Sequence, residues 1–248
     1  MRYQGGKSRI ATSIAVAIER ERESNQTFVS LFCGSCAVEA KLAPHFDRVI
    51  CNDKHEYLIE MLKGVQNGYE LPEQITEEQY KYIKTHKDED KILAGFVGFG
   101  CSFGGKFFGG YARNKEQTNY ALQSKKSLLK DMICLPNAEF TCLDYRDVDI
   151  PNGSIVYADP PYANTTTYQG QKFDSEAFWE YMRQISKHNQ VFISEQTAPD
   201  DFECIWEKPF TRTLDRNKDN QFKVVEKLFT YRYDTHRIHK SKLEQRSD

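Results

Sequence analysis

Four short apolar runs, each ending on a glycine or an acidic residue, constrain this chain more than any other feature. Residues 28–32 give way to Gly34-Ser35, 48–51 to Asn52-Asp53, 139–143 to Asp144-Tyr145, and 154–158 to Asp159-Pro160-Pro161-Tyr162. Short apolar runs bounded by turn signals read as buried strands. A helical pattern (Ala37, Val38, Ala40, Leu42) follows the first run until Pro44, and another (Tyr57, Leu58, Met61, Leu62) follows the second and closes near Gly64. Ahead of them, residues 10–22 stack Ile10, Ile14 and Ile18 with Ala11, Ala15 and Ala17 on one helical stripe. Strand, helix, strand, helix predicts an α/β fold with a mostly parallel sheet and right-handed crossovers.

The rhythm stops between residues 67 and 134, a length that suits an inserted, mainly helical subdomain better than a loop. The expected division is one domain from residues 1–66 and 135–235, the insertion at 67–134, and a charged tail at 236–248. Thr76 with Gln79 forms the pattern of a capping box and predicts a helix running toward Ala94. The stretch 95–114 then alternates glycine with aromatics and has almost no aliphatic residues, which predicts neither a regular helix nor a buried strand. A further helix over 119–134 carries Lys125, Lys126 and Lys130. Past the fourth strand, Phe178, Tyr181, Met182 and Ile185 share a helix face, residues 191–193 read as a strand, and the alternation of 223–229 predicts an antiparallel closing hairpin.

Composition narrows the function classes. In 248 residues, 34 basic side chains meet 36 acidic ones, so a wholly basic nucleic-acid coat is excluded, although one basic face is compatible with this balance. From Glu207 onward eleven Lys/Arg stand against seven Asp/Glu. No stretch approaches the roughly 18–20 unbroken apolar residues of a membrane span, and the opening residues carry no apolar leader. Seven cysteines, an odd number, predict reduced thiols and a cytoplasmic location.

In an open α/β sheet, ligands bind beyond the carboxyl ends of the strands, so acids at successive strand ends predict a shared pocket. Asp53 follows the glycine turn by about twenty residues, where an acid accepts hydrogen bonds from ribose hydroxyls. The turn itself, Phe32-Cys33-Gly34-Ser35-Cys36, lacks the second and third glycines of G-x-G-x-x-G. That favours an adenosine-containing cofactor without a pyrophosphate over a dinucleotide. Asp159-Pro160-Pro161-Tyr162 is the sharpest signal, because two prolines remove backbone donors and leave a carboxylate and carbonyls as acceptors beside an aromatic face. This suits a planar amine: one N–H donated to Asp159, another to the Pro160 carbonyl, and the ring stacked on Tyr162.

In these motifs and their order the chain resembles the Dam-like DNA adenine-N6 methyltransferases, which use S-adenosylmethionine and have a Rossmann-like fold. Tyr3-Gln4-Gly5-Gly6-Lys7 is similar to the family's N-terminal cofactor motif, with the lysine near the target adenine. Phe32, Gly34, Ser35 and Cys36 match its Phe-x-Gly-x-Gly motif, with Cys36 in place of the last glycine. Asp53 matches the ribose-binding acid, Asp144-Tyr145 the adenine-ring contact of the cofactor, and Asp159, Pro160, Pro161 and Tyr162 the catalytic motif, where Asp159 also borders the cofactor. Ser194-Glu195 stands where the family supports the target-base pocket. The resemblance implies methyl transfer to a flipped-out adenine in double-stranded DNA. It also assigns DNA contact to the insertion, with Lys106, Tyr111, Arg113, Asn114, Lys125 and Lys126 as candidates. It implies no metal, and a cognate restriction endonuclease would be a separate chain.

Competing readings are a Cys33–Cys36 redox pair, methylation of another planar amine such as an RNA base or an amide, and a catalytically weak protein that acts by occupying DNA. Zinc lacks a second C-x-x-C or a paired histidine motif.

Overall fold

A computed structural model describes residues 1–161, 173–213 and 221–231. Its strands are β1 (Thr27–Ser30), β2 (Arg48–Asn52), β3 (Glu139–Thr141), β4 (Ile155–Ala158), β5 (Gln190–Glu195), β6 (Phe202–Thr213) and β7 (Gln221–Tyr231). The helices are α1 (Ala11–Glu21), α2 (Glu39–Leu42), α3 (Glu56–Gln66), α4 (Glu77–Thr85), α5 (Lys91–Gly100), α6 (Tyr120–Met132) and α7 (Ser175–Ile185).

All seven strands form one sheet in the order β3-β2-β1-β4-β5-β7-β6. The first five are parallel, and β7 runs antiparallel between β5 and β6. This is a Rossmann-like sheet closed by the expected hairpin. The chain moves outward from β1 through β2 to β3, then returns to place β4 on the other side of β1. That reversal opens a crevice beyond the carboxyl ends of β1 and β4, the position where open α/β sheets bind ligands.

The central strands are apolar at nearly every position because both faces are covered. Phe28, Tyr157, Phe192 and Leu228 point to the face packed by α1, while Val29, Val156, Ala158, Val191 and Ile193 point to the face packed by Phe178 and Met182 of α7. Helices α3, α5 and α6 extend the first cluster outward through Leu58, Met61, Phe96, Phe99 and Leu128.

Two expectations for the insertion need correction. The Thr76 capping box is present, with the Thr76 hydroxyl accepting from Gln79 N and the Gln79 side chain accepting from Thr76 N. The helix it opens stops at Thr85, however, and a second one begins at Lys91, capped by Asp90, whose carboxylate accepts from Leu93 N. The start of the glycine-aromatic stretch is also helical: Gly95–Gly100 completes α5 and is buried throughout. Glycine is tolerated there because neighbours come too close for a side chain. A Cβ on Gly95 would lie 2.0 Å from the Tyr57 carbonyl oxygen, one on Gly98 2.4 Å from the Phe107 ring, and one on Gly100 2.9 Å from Ser124 Cβ. The glycines that weaken helix propensity are those that admit close neighbours: Gly95 and Gly100 let α5 press against α3 and α6, and Gly98 makes room for the Phe107 ring.

Candidate active site

The first strand end is a turn under tight geometric control. Gly34 adopts a left-handed backbone with φ +49°, and a Cβ there would sit 2.9 Å from the Tyr3 ring. Cys36 also has positive φ, +59°, a conformation that L side chains rarely adopt. The residue replacing the expected glycine thus keeps a glycine's conformation. Its thiol is fully buried beside those of Cys33 and Cys51. Hydrogen bonds from both draw the Cys36 thiol downward, while burial pushes Cys33 up and the bond shared with Cys36 holds Cys51 up.

The turn is joined to the next strand end through Asp53. Gly34 N donates to Asp53 Oδ2 at 3.1 Å and His55 N to Oδ1 at 2.9 Å. Burial still pushes this carboxyl up to about 6. One residue earlier, buried Asn52 clips three strand ends together: its Nδ2 donates to the carbonyls of Leu31 and Leu143, and its Oδ1 accepts from Leu143 N and Thr141 Oγ1. Beyond β3, Asp144 accepts from Lys54 Nζ at 3.1 Å and Arg146 Nε at 2.8 Å, and the arginine holds its carboxyl well below the usual range. Tyr145 is buried, with its ring 5.3 Å from that of Phe32 and 5.7 Å from that of Phe178.

The N-terminal segment closes over the same end of the sheet. Gly5 turns it with φ +79°, Gly6 N donates to the Tyr3 carbonyl, and the Tyr3 ring packs 5.1 Å from Phe99 of α5. From the insertion, Gly105 accepts from Gln4 N at 3.1 Å, and a Cβ on Gly105 would fall 2.6 Å from Tyr3 N. Part of the glycine-rich stretch therefore clamps the opening motif onto the Gly34 turn.

This clamp delivers Lys7 to the end of β4. Lys7 is 6% exposed, and its Nζ lies 2.9 Å from Asp159 Oδ1 and 3.1 Å from Glu226 Oε1. Asp159 is half-buried, Pro160 buried and Pro161 half-buried. Tyr162 lies outside the described residues. Nearby, Glu195 ends β5 with its carboxyl pushed up by burial and by the negative charges of Asp159 and Glu226, and Tyr157 donates to Ser194 Oγ at 3.0 Å.

The family model of the D12 class N6 adenine-specific DNA methyltransferases matches residues 3–94 and 101–243. The chain belongs to this family. Solved structures with a similar course are a Pyrococcus horikoshii protein described as an RNA methyltransferase (8% identical, 90% of this chain and 81% of that one, TM-score 0.44), a tRNA methyltransferase of Aquifex aeolicus (12%, 91% and 70%, TM-score 0.41), and an Escherichia coli protein described as a methyltransferase (10%, 91% and 88%, TM-score 0.41).

In this methyltransferase the glycine turn, the N-terminal segment and the β4 motif meet at one end of the sheet. Buried Ser35 Oγ has no hydrogen-bond partner among the described residues and would lie 3.8 Å from a Cβ on Gly6. A polar atom left unpaired between two glycine-lined backbones fits a ligand that would satisfy it. The residues present therefore fit S-adenosylmethionine, whose ribose hydroxyls would meet Asp53 and whose methionine end would meet the Tyr3–Lys7 segment.

The candidate DNA contacts have varied surroundings, and one of them, Lys106, directly follows the clamping Gly105. Lys106 and Lys126 are exposed. Arg113 pairs with Glu77 at 3.0 Å and Lys125 with Glu73 at 3.2 Å. Asn114 is engaged locally, its amide bonding Glu116 and Thr118. Tyr111 donates to the Ile75 carbonyl at 2.7 Å, just ahead of α4, and its ring packs on Tyr80 of that helix, so it ties the loop to the start of α4. Among the described residues no group of His, Cys, Asp and Glu is arranged to hold a metal ion, and no helix is long and apolar enough to cross a membrane.

Glu226 and Asn52 carry contacts that motif spacing alone did not assign. The signal for Glu226 is its phase: it shares alternation with Leu228 on β7, so a charge stands at a core position.

Proposed function

We propose that this methyltransferase transfers a methyl group from S-adenosylmethionine to the N6 amine of an adenine flipped out of double-stranded DNA. The observation that carries the reading is the Asp159-Pro160 strand end at the sheet's reversal point, held by buried Lys7. When bound, S-adenosylmethionine supplies an electrophilic methyl group. Asp159 accepts one N–H of the target amine and the Pro160 carbonyl the other, which aims the nitrogen lone pair out of the ring plane toward the crevice. Orientation carries most of the catalysis, because the amine gives up its proton, to the Asp159 carboxylate that already accepts that N–H, only as the new C–N bond forms and the donor's bond to the methyl breaks. Flipping is required because N6 inside a duplex cannot reach a donor held at the strand ends.

On this reading residues 67–134 recognise the target sequence, with Lys106, Arg113, Asn114, Lys125 and Lys126 facing DNA and Tyr111 fixing the loop that presents them. The enzyme then works in the compartment that holds DNA, the cytoplasm of a bacterial or phage-infected cell. The test is transfer of radiolabelled methyl from S-adenosylmethionine to unmethylated duplex DNA, followed by nucleoside analysis. N6-methyladenine is expected, and Asp159→Ala should remove most of it while cofactor binding, measured by calorimetry, remains. Label appearing only in RNA or protein, or Asp159→Ala with normal turnover, would overturn the assignment.

A further inference from the structure

Lys7 is shared between two carboxylates that differ in freedom. Asp159 is half-buried at the mouth of the crevice, whereas Glu226 is fully buried within β7. β7 is paired with β6 at Glu226 itself, opposite Lys208, and with β5 from the next residue onward, Lys227 opposite Glu195, so the backbone that carries Glu226 is held by the sheet. A carboxylate is costly to bury unless paired, and among the described residues Glu226 pairs with the lysine that also reaches Asp159. A lysine held only by Asp159 would follow that side chain among its rotamers. One held from behind by an immobile acid presents its ammonium at a defined place.

We infer that Glu226 is a positioning residue for methyl transfer: it anchors the Lys7 ammonium from the buried side, so that Lys7 fixes the Asp159 carboxylate in the orientation that accepts an N–H from the target amine. The inference rests on the adenine-N6 reading above. It predicts that Glu226 affects the rate of transfer more than the affinity for cofactor, and that it acts through Lys7.

The experiment is a double-mutant cycle on the full chain, using Glu226→Gln, Lys7→Met and their combination. It reads the single-turnover rate on duplex DNA with saturating S-adenosylmethionine, cofactor affinity by calorimetry, and melting temperature. Glu226→Gln should slow transfer roughly 10- to 100-fold, the scale of a misplaced catalytic group, with cofactor affinity close to wild type. In the Lys7→Met background the same substitution should change the rate less than about twofold, since no ammonium is left to position. Glu226→Asp, which keeps the charge but shortens the reach, should fall between wild type and Glu226→Gln. Equal losses in both backgrounds, or a Glu226→Gln rate within twofold of wild type, would overturn the inference. If Glu226→Gln does not fold, the cycle is read from Glu226→Asp with and without Lys7→Met, against the same criteria. Absence of methylated DNA from the wild type itself would overturn the adenine-N6 reading, and the inference with it.

Discussion

Gly34 N donates to Asp53 Oδ2 at 3.1 Å, tying the turn after β1 to the acid after β2. This bond and the one from His55 N oppose burial, yet the Asp53 carboxyl still lies near 6 rather than at its ordinary value of 3.8. An ionised carboxylate accepts from ribose hydroxyls more strongly than a neutral carboxyl does, so cofactor affinity should rise as pH increases through about 6 and fall below it. The contribution of Asp53 to folding stability has the opposite sign: it is complete below 3.8 and lost as pH rises through about 6. Calorimetric titration across pH 5–8 checks the first statement. Asp53→Asn should bind weakly with little dependence on pH, and an unchanged profile in that variant would remove Asp53 from the cofactor site.

Cys36 occupies a left-handed conformation that costs an L residue about 1–2 kcal/mol. Cys36→Gly should therefore be at least as stable as Cys36→Ala, although alanine fills more of the buried space. Thermal unfolding of the two variants decides this. A clearly more stable alanine variant would mean that packing of the thiol site outweighs the backbone term.

Much of the sheet was legible because each parallel strand is short, apolar and punctuated by a polar strand end. The closing hairpin was legible from the alternation of 223–229, whereas the order that places β4 beside β1 depends on tertiary pairing and was not. The insertion was less legible. Local propensity argues against helix in 95–100, but Gly95, Gly98 and Gly100 sit where α5 meets other chain segments closely, and tertiary packing overrides propensity. The site's motif residues could be read from Asp53 and Asp159, which end strands. For Glu226 the alternation with Leu228 signals burial but not its ion-pair partner, a lysine more than two hundred residues earlier in the chain. Tyr111 shows the converse: an aromatic in a suggestive stretch whose hydroxyl is bound to Ile75.

Gly95→Ala tests the close approach of α5 to α3 directly. The added methyl would meet the Tyr57 carbonyl at 2.0 Å and Met61 Cβ at 2.8 Å, an overpacking expected to cost roughly 1–3 kcal/mol or more. Denaturant unfolding should show the loss, and wild-type stability would mean that α5 can shift without penalty.

The proposed DNA face predicts a salt signature. Lys106→Gln, Lys125→Gln and Lys126→Gln should weaken binding to unrelated duplexes about equally, and each lost phosphate contact should reduce the slope of log affinity against log salt by about 0.9. Lys125 would exchange its pair with Glu73 for a phosphate. Fluorescence anisotropy at several salt concentrations measures this, and slopes equal to wild type in all three variants would place the DNA elsewhere.

The central claim, adenine-N6 methylation carried by Asp159, is met most directly by a base-resolved map of N6-methyladenine in DNA from otherwise unmethylated cells expressing this chain or its Asp159→Ala variant. The account predicts methylation at one recurring sequence with the wild type and its loss with the variant. A map without N6-methyladenine in either strain, or the same marks in both, would contradict it.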